Sequence, residues 1–129
     1  MNVVDSSGWL EFFTDGPNAD HFFHPLQDTS NLIVPTICIY EVFKIVFRER
    51  GEDDALQAVA LMRQGKLINL TSEIALQAAK NSLEFNIPMA DSIVLTTAQL
   101  NDAEVWTQDE DFKGMKNVHY FPKKQRRKV

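Results

Sequence analysis

The stretch Leu32-Ile33-Val34-Pro35-Thr36-Ile37-Cys38-Ile39-Tyr40-Glu41-Val42-Phe43 changes period in its middle. Its first three residues are too few and too uniformly apolar for a half-exposed hairpin strand, and they fit a buried strand of a parallel sheet. Past Pro35 the apolar residues recur at helical spacing. Ile39, Val42, Phe43, Val46 and Phe47 fall at i, i+3, i+4, i+7 and i+8, one face of a helix over residues 37–50. A buried strand leading straight into an amphipathic helix is the building unit of an α/β protein.

The same alternation extends in both directions. Short apolar runs at residues 2–4, 67–70, 104–106 and 118–121 read as further buried strands. Residues 54–64 have helical spacing, with Asp53 as expected N-cap and Gly65 as expected stop. Thr71 or Ser72 caps a helix reaching about Phe85, and Ile87-Pro88 breaks the chain before a helix over residues 89–100. The prediction is one α/β domain over residues 1–122, a central parallel sheet of about five strands flanked by helices with right-handed crossovers. A short basic tail, 123–129, follows.

The 129 residues suffice for a single core without staples, and 44% hydrophobic with 24% charged content excludes disordered and collagen-like classes. One cysteine, Cys38, cannot make an internal disulfide, and no apolar run is long enough to span a bilayer, so a cytoplasmic protein without a membrane partner is expected. Charge is uneven. Five of the 13 basic residues stand in the last seven positions, leaving eight against 18 acidic groups before them, a balance of −10. That disfavours a protein that simply neutralises phosphates with a basic face.

The acids themselves are placed informatively. Parallel sheets collect ligands at the carboxyl ends of their strands. Asp5 ends the first strand, Glu41 lies early in a helix that follows a strand, and Asp91 starts a helix that precedes one. Asp109, Glu110 and Asp111 closely follow the fourth strand, so four segments deliver carboxylates to one edge. Two carboxylates about 4 Å apart repel by roughly 4 kcal/mol at an effective dielectric near 20, so protons or a divalent cation must relieve the cluster. Hard oxygen ligands without a Cys or His cluster favour Mg²⁺ or Mn²⁺, whose natural chemistry is metal-assisted phosphodiester hydrolysis. Taken singly, each acid also reads as a cap, a turn residue or a complement to a helix dipole.

At these positions the sequence resembles the PIN-domain ribonucleases, and among them the VapC-like toxins of toxin–antitoxin pairs. The matching elements are Val3-Val4-Asp5-Ser6-Ser7, Pro35-Thr36 through Glu41, Ile87-Pro88-Met89-Ala90-Asp91-Ser92 with Thr96-Thr97-Ala98, and Thr107-Gln108-Asp109-Glu110-Asp111-Phe112. The resemblance implies an Mg²⁺- or Mn²⁺-dependent endoribonuclease acting on an RNA such as tRNA or rRNA, a homodimer, inhibited by a small antitoxin protein. It implies Asp5, Glu41 and Asp91 as metal ligands, Asp109 as the fourth acid with Asp111 sharing or replacing it, and Ser6 and Thr107 as supporting hydroxyls. Water activated by the metal, rather than a protein nucleophile, would attack phosphorus.

Lys44, Lys113 and Lys116 are candidate RNA contacts near the acids, and the basic tail reads either as an RNA-backbone contact or as a disordered extension. His21 and His24, one helical turn apart, match no metal motif and read as surface or packing residues, as does His119. Phe12, Phe13, Phe22 and Phe23 read mainly as core, with a partner groove as the alternative. No glycine-rich phosphate loop or G-x-S-x-G elbow follows any strand. A phosphoacceptor signalling domain would need an Asp ending the third strand, where Ile68-Asn69-Leu70 stands. An RNA-processing or DNA-end nuclease outside a toxin pair, and a silent protein-binding domain, complete the alternatives.

Overall fold

The computed structural model describes residues 1–125. Five strands, β1 (Asn2–Val4), β2 (Leu32–Pro35), β3 (Lys66–Ile68), β4 (Glu104–Thr107) and β5 (Val118–Tyr120), form one sheet in the order β3-β2-β1-β4-β5, every pair parallel. Six helices connect them: α1 (Ser6–Phe13), α2 (Ala19–Gln27), α3 (Thr36–Arg50), α4 (Glu52–Met62), α5 (Ser72–Phe85) and α6 (Met89–Leu100). The α/β expectation holds, with all five strands and four of the six helices near their expected places. Helices α6 and α3 pack on the central strands, α5 packs on α6 and α4 on α3, while α1 and α2 pack on each other and on β1. Among the described residues no helix is long and apolar enough to cross a membrane. Arg126, Arg127 and Lys128 of the expected tail lie outside the described residues.

The core is built on the central strands. Val3, Val4, Ile33, Val34 and Val105 are buried against Trp9, Phe22, Met62, Val94 and Phe112. The edges differ from expectation: Lys66 and Leu67 of β3 are exposed and β5 is only half-buried, because an edge strand has a neighbour on one side only. Phe47, expected on the buried stripe of α3, is 48% exposed, whereas Cys38 and Val42 are fully buried. Asp53 is not the cap of α4. Gly51 takes that position at φ +91°, a left-handed conformation that favours glycine, and also closes α3; Glu52, Asp53 and Asp54 fill the first turn, where they complement the helix dipole. Nor does Gly65 stop α4, which ends at Met62 with Arg63 as its C-cap. Thr71, rather than Ser72, caps α5 by accepting the Ile74 N–H at 3.2 Å.

Helices α1 and α2 have no counterpart in the sequence reading. Asp5 caps α1 while ending β1, and its carboxylate accepts the Gly8 N–H at 3.0 Å. Gly8 permits this turn to press on the sheet: a Cβ there would lie 2.6 Å from Val4 Cγ1 and 2.8 Å from the Phe22 ring, both fully buried. Alanine would gain about 1 kcal/mol of helix propensity against an overpacking cost of about 1–3 kcal/mol. Gly8→Ala is therefore expected to destabilise the protein by up to about 2 kcal/mol in urea unfolding; stability raised by about 1 kcal/mol, the helix propensity alone, would refute this close packing.

Candidate metal centre

The strand order sets the geometry. From β1 the chain moves outward through β2 to β3, and from β4 it moves outward the other way to β5, so adjacent β1 and β4 form the topological switch point. A crevice opens there, beyond the carboxyl ends of the two strands. Asp5 leaves β1 at this point, and Thr107 ends β4 immediately before the turn holding Asp109 and Asp111. Asp91 lies in the first turn of α6, and Glu41 in the second turn of α3.

Asp5 is buried and accepts three hydrogen bonds. Ser7 Oγ donates to its Oδ1 at 2.7 Å beside the Gly8 N–H, and Thr107 Oγ1 donates to its Oδ2 at 2.6 Å. Thr107 Oγ1 also accepts the Asp109 N–H at 2.9 Å, which ties the acidic turn to Asp5 through one buried hydroxyl. Ser6 Oγ donates to Glu41 Oε1 at 2.9 Å, linking the start of α1 to α3. Asp91, Asp109 and Asp111 each bring one carboxylate oxygen within 4.8 Å of the others. Asp5 and Glu41 stand outside that tight group, although the charge of Asp109 reaches Asp5 and that of Asp5 reaches Asp91.

The electrostatics record the crowding. Burial pushes the Asp5 carboxyl up to about 6 although the Thr107, Ser7 and Gly8 hydrogen bonds pull it down. Asp91 rises further, to about 8, through burial, a hydrogen bond with Asp111 and repulsion from Asp109, Asp111 and Asp5. Beneath them Cys38 is buried, and burial with the charges of Asp5, Glu41 and Asp91 pushes its thiol up, so it stays protonated in the metal-free protein. Among the described residues the ion pairs are Arg48–Glu49 and His119–Glu104, so no protein cation pairs with any of the five acids.

A PIN-domain family model matches residues 3–118, most of the chain. The chain belongs to the PIN-domain family. Similar solved PIN folds include a toxin–antitoxin complex from Klebsiella pneumoniae, 22% identical over 92% of this chain and 96% of that one with a TM-score of 0.78. Another is VapC20 of Mycobacterium tuberculosis, described as a sarcin–ricin loop cleaving toxin, 14% identical over 92% and 98% with a TM-score of 0.76. VapBC2 from Rickettsia felis, described as bound to a promoter DNA fragment, is 11% identical over 94% and 97% with a TM-score of 0.71. At these identities the likeness is one of fold. No curated protein sequence matches significantly.

Within this PIN domain the other candidates scatter. Lys116 lies at the opposite edge of the sheet, lining a pocket with Met1, Asp102 and Glu104, and is corrected from a candidate RNA contact at the acids to a residue remote from them. Residues before a parallel strand sit at its amino end, and Lys116 precedes β5. Lys44 is exposed on α3 with its ammonium 5.7 Å from the Tyr40 ring centre, and Lys113 is exposed after the acidic turn. His21 stacks on Phe121 at 4.4 Å and His119 on Trp106 at 4.1 Å, away from the acids' hydrogen bonds. Phe22 is core, whereas Phe23 is 50% exposed.

Sequence reading gave no role to Ser7, Asn18 or Gln108. Fully buried Asn18 donates from Nδ2 to Gln108 Oε1 at 3.0 Å and to the Pro122 carbonyl at 2.9 Å, and Gln108 Nε2 donates to the Ser7 carbonyl at 3.4 Å. Ser7 stood inside a quoted motif. Asn18, in Asp15-Gly16-Pro17-Asn18, looks like any turn asparagine, and no local signal marks its partners 90 and 104 residues away.

Proposed function

We propose that the protein is a divalent-metal-dependent endoribonuclease, the toxin of a VapBC-type toxin–antitoxin pair. The observation supporting this most directly is the gathering of Asp91, Asp109 and Asp111 near Asp5 at the β1–β4 switch point, with no cation paired to them among the described residues. The donor set is hard oxygen throughout, with the one nearby thiol kept protonated, which fits Mg²⁺ or Mn²⁺ better than Zn²⁺. Asp91 and Asp109 would hold the cation, with Asp111 sharing the position, and Asp5 and Glu41 would complete the ring of acids. When bound, the cation supplies Lewis acidity to a phosphodiester oxygen and to attacking water. Thr107, Ser7 and the Gly8 N–H fix the Asp5 carboxylate, and Ser6 fixes Glu41, so that neither must reorganise as charge develops on the phosphate.

Purified protein is expected to cleave RNA in Mg²⁺ or Mn²⁺, to lose cleavage in excess chelator and to regain it when Mn²⁺ is added back. Full cleavage in chelator would overturn the metal assignment. The antitoxin partner fits the apolar cleft between α1, α3 and α4, lined by Leu10, Phe13, Ile45, Val46 and Leu61. Exposed Leu76, Leu83 and Met89 on α5 and α6 support a homodimer. The toxin role itself is tested by co-expressing the product of any short adjacent reading frame and measuring whether it binds and silences cleavage; a nuclease with no such partner would be an RNA-processing enzyme instead.

A further inference from the structure

A cleft of about 490 Å³ opens beside the acidic turn, between Gln108, Asp109 and Asp111 on one wall and Tyr120, Pro122 and Lys123 on the other. Its volume lies in the range of small-ligand sites. The two walls are held in register by one side chain: Asn18 Nδ2 bonds both Gln108 Oε1 and the Pro122 carbonyl, while the Phe121 N–H bonds the Thr107 carbonyl at 2.9 Å. The opening is therefore set by these hydrogen bonds.

The register explains which ring enters it. Thr107 pairs with Tyr120 and Trp106 with His119, and paired residues of a parallel sheet project to the same face. Thr107 turns to Asp5, so Tyr120 shares the acids' face, while Trp106 and His119 stack on each other on the opposite face. The rings of His21, Phe121, Trp106 and His119 already cover one another, whereas no ring stacks on Tyr120 among the described residues. Lys123 is the one cation among the residues lining the cleft, is exposed, and has no ion pair among the described residues.

We propose that this cleft is a subsite for one unpaired RNA nucleotide adjacent to the scissile phosphate, with Tyr120 stacking on the base and Lys123 meeting the backbone phosphate. An aromatic face and a cation lining one cleft are the chemistry with which single-stranded RNA is held. A base-paired nucleotide would have its π-faces already covered, so the subsite selects looped or unstacked segments. The inference rests on the nuclease reading and deepens it by naming a substrate determinant outside the acids.

The test uses the full chain and a fluorescein-labelled, mixed-sequence ten-nucleotide 2′-O-methyl RNA, followed by anisotropy in Mg²⁺, with Mn²⁺ binding measured separately by calorimetry. Lys123→Gln is expected to weaken RNA binding about threefold to tenfold and to flatten its salt dependence by about 0.7 in log–log slope, with Lys123→Arg retaining affinity. Tyr120→Leu is expected to lose about fivefold or more, and Tyr120→Phe to keep stacking and affinity. Lys116→Gln, at the far edge of the sheet, should bind as the parent does, and Mn²⁺ binding should be equal in all of these proteins. Parent-like RNA affinity in both Lys123→Gln and Tyr120→Leu, or no binding by the parent, would overturn the subsite. Absent Mn²⁺ binding in the parent would instead overturn the metal centre, so the two failures are distinct. Since Lys123 is exposed, its result does not depend on refolding of the core.

Discussion

Asp91→Asn is expected to lower RNA cleavage by at least about 100-fold to 1,000-fold, the scale of losing one preorganised electrostatic group, while making the metal-free protein more stable at pH 8. The two effects have one cause. Asp91 lies within 4.8 Å of both Asp109 and Asp111, and burial together with these neighbours pushes its carboxyl up to about 8. Near neutral pH the empty protein must either hold a proton there or tolerate facing charges. The amide removes the charge, keeps the volume and gives Asp111 a donor, so folding gains where cation binding loses. Kinetics with Mn²⁺ and thermal unfolding in chelator measure the two sides. Near-parental cleavage would refute the metal centre. Loss of activity accompanied by lowered stability would show that Asp91 serves the fold instead.

The metal-free protein is also expected to lose stability as pH rises, on the order of 10 °C in melting temperature between pH 5 and pH 8. Asp5 moves from its ordinary 3.8 to about 6 on folding and Asp91 to about 8. Between about pH 4 and those values the folded protein retains protons that the unfolded chain has released. Unfolding then releases protons, so each added pH unit favours the unfolded state, through both groups up to about pH 6 and through Asp91 alone up to about pH 8. The shift of about two units at buried Asp5 corresponds to about 3 kcal/mol, fully felt above its folded value. On the proposed function Mn²⁺ or Mg²⁺ would replace the proton as the balancing charge, and at about 100 times its dissociation constant would return about 2.7 kcal/mol. Melting curves from pH 4.5 to 8.5, with chelator and with Mn²⁺, test this. A flat chelated profile, or equal Mn²⁺ stabilisation at pH 5 and pH 8, would contradict it.

Much of the fold was legible because its signals are local. A three-residue apolar run such as Leu32-Ile33-Val34 has few alternatives to a buried strand, and the 3.6-residue period after it has none but a helix. Helices α1 and α2 lacked so clean a period. Their residues Ser6–Phe13 bury only Gly8 and Trp9, and α2 contains Pro25, so their helicity depends on the Asp5 cap and on packing against β1 rather than on pattern. Phe47 misled for the opposite reason: periodicity gives the apolar face of α3 but not how far along that face its neighbours extend.

By itself the sequence determined that the candidate acids share an edge. In an all-parallel sheet every strand ends on the same side, so a carboxylate after a strand, or at the start of a flanking helix, is assigned to that side by chain direction alone. Only the tertiary structure decided which of them meet. The order β3-β2-β1-β4-β5 puts Asp5 beside Thr107 across 102 residues of chain, gathers Asp91, Asp109 and Asp111, leaves Glu41 on Ser6, and sends Lys116 to the far edge. Strand order is a property of non-local pairing, settled by how whole faces bury against each other, and no single segment encodes it. The acidity that spoke against a nucleic-acid partner in the linear chain became, once gathered at the switch point, the feature that favours a cation between the protein and a phosphate.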